Sequence, residues 1–143
     1  MLAPRPTAFP AAITYTTAPP TAGETIALFC AAGLNGPLDD NERMQRMLDE
    51  AQYLLAARCG TLLVGLVRVL TDFSFNAFVA DLAVLPRFQR RGIGSHLLAE
   101  ATEPFAGVKF IVQPGLDSRD FYAKGGFELT TCMVRPRAGV GTP

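Results

Sequence analysis

A mixed α/β (α+β) domain built on one central sheet is predicted by three observations. Residues 21–51 carry apolar side chains at helical spacing, and residues 53–85 switch to the extended period of strands. After Pro86 a helix-forming run leads to the short apolar stretch KFIVQ, a strand–helix–strand succession that lays its second strand parallel to its first. The chain has 143 residues, 49% of them apolar, which suits one domain with one core.

ITYTT (13–17) alternates and is rich in β-branched residues, so a strand is expected there, ended by Pro19-Pro20. A helix follows from Thr21 as N-cap, with Glu24 at the third position completing a capping box and Gly33 as its stop. DDNERMQRMLDEA (39–51) has carboxylates in its first turn and Met44, Met47, Leu48 and Ala51 on one face, which predicts a second, amphipathic helix.

YLLAAR, TLLVGLVRVL and FNAFVADLAVL then read as three antiparallel strands, separated by turns at Cys59-Gly60 and Thr71-Asp72. Pro86 closes the third, and Pro104 stops the helix that follows. KFIVQ (109–113) is the next strand, DSRDFYAK (117–124) a short helix ended by Gly125-Gly126, and FELTTCMV (127–134) a final strand. The expected order is βααβββαβαβ in a single domain over 13–135, with residues 1–12 a flexible arm and 136–143 a flexible tail.

Thirteen basic and thirteen acidic residues cancel, and no long basic run exists. That argues against nucleic acid and anionic lipid as partners. No stretch is long and apolar enough to span a membrane. Cys30, Cys59 and Cys132 are widely spaced in apolar surroundings, as expected of reduced thiols in a cytoplasmic protein. His96 is the one histidine, so no metal site is expected.

Charge is nevertheless concentrated at one place. In RFQRRGIGSHLL (87–98) a strand passes into a helix through Gly92 and Gly94, flanked by Arg87, Arg90 and Arg91. A helix start presents unpaired N–H groups, glycines let a ligand approach the backbone, and arginines favour an anion. The stretch is suited to a pyrophosphate. A Walker A loop requires Gly-Lys-Ser/Thr where Gly94-Ser95-His96 stands, and a dinucleotide fingerprint requires glycine where Leu97 stands, so both are excluded.

ADLAVLPRFQRRGIGSHLLAEA resembles the acetyl-CoA-binding motif of the GNAT acetyltransferase superfamily, with Gln89, Gly92 and Gly94 standing as Q/R-x-x-G-x-G/A. FYAKGGFE resembles that family's second signature, and the element order matches, so the resemblance covers residues 13–134. It implies a GNAT fold with a V-shaped splay between the fourth and fifth strands. It also implies that the backbone of Gln89, Arg90, Arg91, Gly92, Ile93, Gly94 and Ser95 holds the pyrophosphate of acetyl-CoA, and that the main chain of Leu82, Ala83 and Val84 holds the pantetheine arm.

Tyr122 matches the family's general acid. Asp81 is the only acid between Asp72 and Glu100 and is the candidate base, directly or through water; the alternative is a buried carboxylate serving backbone donors near a bulge. Phe75 and Phe78 occupy other family positions for that base, and His96 is expected on the solvent or phosphate side. Gly115 stands where many members have a cofactor-binding asparagine, with Asp117 and Ser118 as substitutes nearby. Phe29, Leu34, Met44 and Met47 either line an apolar acceptor site or form core.

The implied function is transfer of an acetyl group from acetyl-CoA to a primary amine of a small molecule by direct attack on the thioester. A protein or peptide N-terminal acetyltransferase and a non-catalytic acetyl-CoA-binding module are the alternatives. A homodimer is expected, covering the exposed edge of the last strand.

Overall fold

Capping and register explain most of what forms. In the computed structural model, which describes residues 12–139, the order is β1 (Ile13–Thr16), α1 (Ala22–Ala32), α2 (Asn41–Asp49), β2 (Tyr53–Cys59), β3 (Leu62–Thr71), β4 (Asn76–Val84), α3 (Ile93–Thr102), β5 (Lys109–Val112) and α4 (Arg119–Lys124). The expected arm, apart from Ala12, and residues 140–143 of the expected tail lie outside the described residues. The chain divides into two compact units, residues 1–113 and 114–143.

In the first unit, α1 begins at the expected capping box: Thr21 Oγ1 accepts from the Glu24 N–H at 3.1 Å and Glu24 Oε1 from the Thr21 N–H at 3.0 Å. Gly33, at φ 72°, closes the helix in the left-handed conformation that glycine adopts freely. Asp40 caps α2 through the N–H of Arg43. The sheet order is β1-β2-β3-β4-β5, antiparallel as far as β4, with β5 parallel to β4. Leu28 and Phe29 of α1 and Met44 and Leu48 of α2 pack with Leu54, Ala56, Leu66 and Ala83 on one sheet face. On the other face α3 lies so close to β3 that a Cβ at Gly65 would stand 3.1 Å from Leu97 and 3.2 Å from Ile93. Any side chain at position 65 would press on Leu97 and Ile93, which would have to shift by a few tenths of an ångström to admit it.

Two bulges interrupt the ladders. One leaves Val64 without a partner between the pairs Ala57↔Gly65 and Arg58↔Leu63. The other leaves Ala80 between Arg68↔Asp81 and Val69↔Val79. An extra residue reverses the alternation of the strand, so Phe78, Asp81 and Ala83 share one face. The β4–β5 ladder ends at the pair Val79↔Val112, and β4 runs on through Ala80–Val84 without β5 beside it. The two strands splay where the bulge lies.

The second unit contains a 3₁₀ turn, Leu116–Ser118, and α4. The strand expected over 127–134 is not formed: Glu128 to Val134 belong to no helix, strand or turn. Apolar alternation and β-branched residues suit a pleated surface but do not make a strand without a neighbour to complete its hydrogen bonds. The described sheet therefore ends at β5.

Candidate functional site

Pro86 ends β4 by removing a ladder donor and starts a 3₁₀ turn, Pro86–Phe88. Phe88 is buried and anchors the turn, and the guanidinium groups of Arg87 and Arg91 lie over its ring at 5.4 and 5.3 Å from the centroid. The Gln89 side chain reaches back and donates from Nε2 to the Val84 carbonyl at 2.9 Å. Thus the turn and the end of β4, expected to hold the two halves of one cofactor, are physically tied. The same bond engages the carbonyl of Val84, one of the main-chain groups expected to meet the pantetheine arm.

Arg90 has φ 63° and Gly92 has φ 84°, both in the left-handed region. For glycine this is cheap. For arginine it is strained, and strain of this kind collects at binding turns. Gly92 is also the N-cap of α3, where no side chain caps the helix and no acid stands in the first turn. The first α3 hydrogen bond runs from the His96 N–H to the Gly92 carbonyl at 3.0 Å. Arg87, Arg90 and Arg91 are exposed, and among the described residues none forms an ion pair with a carboxylate. A positive helix end, open backbone donors and unneutralised guanidiniums together suit an anion.

Asp81 is not a lone carboxylate at the cleft. Its Oδ2 accepts from Arg68 Nε at 2.6 Å, and the two side chains are only 10% and 9% exposed. The pair bridges β3 and β4 at the bulge. Removing one partner from such a pair strands a buried charge, at a cost of about 3–5 kcal/mol. Arg68 was not among the residues expected at the site. The available signal was a single arginine inside the apolar run TLLVGLVRVL facing the single acid of the next strand.

His96 lies on the exposed side of α3, its Nε2 3.9 Å from Glu100 and its ring 4.0 Å from that of Tyr15. Burial raises the phenol of Tyr15 above its ordinary range. Phe29 and Met44 are fully buried, so of the two roles open to them the structure assigns core. Leu34 and Met47 pack against the same core. A depression of about 360 Å³ opens between the end of α2 and the start of β2, bordered by Leu48, Asp49 and Tyr53, and contains none of the expected site residues.

In the second unit Tyr122 is 8% exposed and its ring sits edge-on to Phe121 and Phe127, with centroids 5.1 and 5.5 Å away. Its carbonyl accepts from the N–H groups of Gly125 and Phe127. At Gly115 φ is −66° and a Cβ would meet nothing nearer than Ser118 Oγ at 3.9 Å. The Ser118 hydroxyl donates to the Gly115 carbonyl at 3.1 Å. Among the described residues no cluster of three or more potential metal ligands occurs, and no helix is long and apolar enough to cross a membrane.

The model of an acetyltransferase (GNAT) domain matches residues 31–140. Among solved structures, a protein of unknown function from meticillin-resistant Staphylococcus aureus described as a probable acetyltransferase superposes with a TM-score of 0.80 at 21% identity, covering 88% of this chain and 100% of that one. A GNAT family acetyltransferase from Streptococcus pneumoniae superposes with a TM-score of 0.71 at 28% identity, over 89% and 98% of the two chains. The PaiA N-acetyltransferase of Thermoplasma acidophilum, in complex with coenzyme A, gives 0.64 at 15% identity over 83% and 91%. No curated protein sequence matches the chain.

Proposed function

We propose that this chain, which belongs to the GNAT acetyltransferase family, is an acetyl-CoA-dependent N-acetyltransferase acting on a primary amine of a small molecule. One observation carries the proposal: the N-terminus of α3 is uncapped, left-handed at Gly92 and surrounded by unneutralised arginines, and Gln89 ties it to a stretch of β4 that β5 leaves open. The coenzyme A complex of PaiA N-acetyltransferase, a protein of the same fold, supports the choice of ligand. Cys30, Cys59 and Cys132, widely spaced along the chain, suit the reducing cytoplasm.

In this mechanism the turn from Gln89 to Ser95 binds the pyrophosphate through backbone N–H groups, and the main chain of Leu82, Ala83 and Val84 orients the pantetheine arm. The neutral amine attacks the thioester carbonyl carbon. A C–N bond forms, a main-chain N–H of β4 stabilises the oxyanion, and the C–S bond breaks. The Tyr122 phenol donates its proton to the departing thiolate, and the proton shed by the attacking nitrogen passes to solvent water, from which the phenolate is reprotonated. Asp81 enters as the partner that, with Arg68, holds the bulge and hence the open main chain beside it. The base role first considered for it gives way to this one, because its Oδ2 is engaged by a guanidinium.

Thiol release from acetyl-CoA against a panel of small amines and peptides tests the activity. Turnover with a small amine is expected. Binding without turnover on any acceptor identifies a non-catalytic module, and turnover on peptides alone identifies a peptide acetyltransferase. Tyr122→Phe keeps the ring between Phe121 and Phe127 and removes the hydroxyl. Turnover is expected to fall about 100-fold or more while acetyl-CoA affinity is unchanged. An unchanged rate rejects the acid role.

A further inference from the structure

On the sheet face that carries α1 and α2, the core stops short of one end. Its sheet members include Leu54, Leu66 and Ala83. Two residues beyond Leu66 on that face comes Arg68, paired with Asp81, and two beyond Arg68 the pattern returns to apolar: Leu70 pairs with Phe78, and Phe78 with Ile111. Cross-strand partners point to the same side, so Leu70, Phe78 and Ile111 form a row across β3, β4 and β5. They are 37%, 38% and 42% exposed, and none belongs to the core cluster. β3 and β4 are interior strands with a neighbour on either side. A single exposed apolar residue needs no explanation, but three adjoining ones in register on the face of a sheet form a patch of the kind that takes a ligand.

The position of the row and the charges around it identify that ligand. Phe78 stands one residue before Val79↔Val112, the last pair of the β4–β5 ladder, and the Arg68–Asp81 pair that follows on the same face lies at the bulge where the two strands part. A group seated on the row is therefore next to the open stretch of β4 proposed to hold the arm of acetyl-CoA. Asp81 is the one acid in β3, β4 and β5, and Arg68 pairs with it. Asp72, in the turn between β3 and β4, has its Oδ1 engaged by the N–H groups of Ser74, Phe75 and Asn76. Lys109, two residues before Ile111 and on the same face of β5, is exposed. The strands thus offer apolar contact and a positive charge, but no carboxylate left over for a second ammonium group.

We propose that the Leu70–Phe78–Ile111 row seats the body of the acceptor, which is a monoamine carrying a hydrocarbon or aryl group and not a polyamine. The three side chains are then the specificity-determining residues of the acceptor site. This inference rests on the acetyl-transfer reading above and adds no chemical step to it. Each methylene of the body that leaves water against the row favours binding about fourfold. A second cationic group on the acceptor meets Lys109 and finds no acid to pair with, so it is rejected.

The test reads turnover and binding separately. With acetyl-CoA as donor, kcat/KM is expected to rise about fourfold per methylene from ethylamine through butylamine toward hexylamine, to be high for phenethylamine, and to be at least about tenfold lower for spermidine than for hexylamine. Phe78→Ala and Ile111→Ala, each checked for fold by far-UV circular dichroism, are expected to remove about tenfold of the preference for phenethylamine over ethylamine, with acetyl-CoA affinity as in wild type. Phenethylamine binding to the coenzyme A-loaded chain is followed by calorimetry in parallel. If no amine is acetylated, the transfer reading fails, and phenethylamine binding that weakens in Phe78→Ala still supports the row. Rates indifferent to chain length overturn the proposal, as do a preference for spermidine, phenethylamine binding and kinetics that both substitutions leave unchanged, or no phenethylamine binding at all. A wild-type dimer that Phe78→Asp turns into a monomer also overturns it, by giving the row to a second copy.

Discussion

Helices α1 and α3 have nearly the same length, 11 and 10 residues, and opposite beginnings. At α1 the chain satisfies its own helix end: Thr21 and Glu24 cap one another, and Glu24 also binds Arg58 through Oε2 to NH1 at 2.6 Å and Oε1 to NH2 at 3.1 Å. At α3 the cap is a left-handed glycine, the first turn has no acid, and the charges nearby are arginines. A helix end that closes on itself adds stability. One left open keeps its donors for a ligand, so substitutions at the two ends should move different observables.

The largest effect is expected from Gly94→Asp. A carboxylate in the first turn of α3 suits the helix dipole but repels a pyrophosphate. Acetyl-CoA affinity should fall about 100-fold or more by calorimetry, whereas the unfolding midpoint should not fall. Wild-type affinity in this variant places the anion site elsewhere. Replacing Arg90 or Arg91 with alanine removes one exposed guanidinium, and affinity is expected to drop about tenfold, less at high salt because exposed charges are screened. For Arg91, whose guanidinium lies over the Phe88 ring, a loss that does not change with salt indicates that it acts by packing there instead.

Glu24→Ala makes the opposite test. It should cost about 1–2 kcal/mol of stability by chemical denaturation, through loss of the cap and the ion pair, and leave acetyl-CoA affinity unchanged. The pair is partly exposed, so water screens it and the cost stays modest. The smallest effect concerns pH. The Arg58 hydrogen bonds hold the Glu24 carboxyl down at about 2 from an ordinary 4.5. A lowered folded-state value adds stability that is fully present above the unfolded value and disappears as pH falls toward the folded one. Wild type should therefore lose its advantage over Glu24→Gln between about pH 4.5 and 2. A constant difference across that range shows that the charge of Glu24 contributes nothing.

The α1 box was legible at once, because Thr21, Glu24 and Gly33 are near neighbours in sequence and the bonds that cap the helix run between them. The glycine-and-arginine turn before α3 was legible for the same reason, down to Gln89, Gly92 and Gly94. The left-handed backbone of Arg90 was not, since no side-chain preference points to it. The turn adopts it while closing between Phe88, buried in the core, and the start of α3.

Strand pairing marks the boundary more sharply. Residue order and period were enough for the meander, for the parallel β5 and for the place where β4 ends. They could not locate the bulge at Ala80, which is a mismatch between two strands and leaves no mark on either one alone. From that mismatch follow the placing of Asp81 against Arg68 and the parting of β4 from β5. The last strand failed in the same way: FELTTCMV has the composition, but a strand exists only where another backbone completes its hydrogen bonds. Caps and turns are decided among near neighbours in the chain, whereas register, bulges and edges are relations between distant segments, settled only when tertiary packing brings them together.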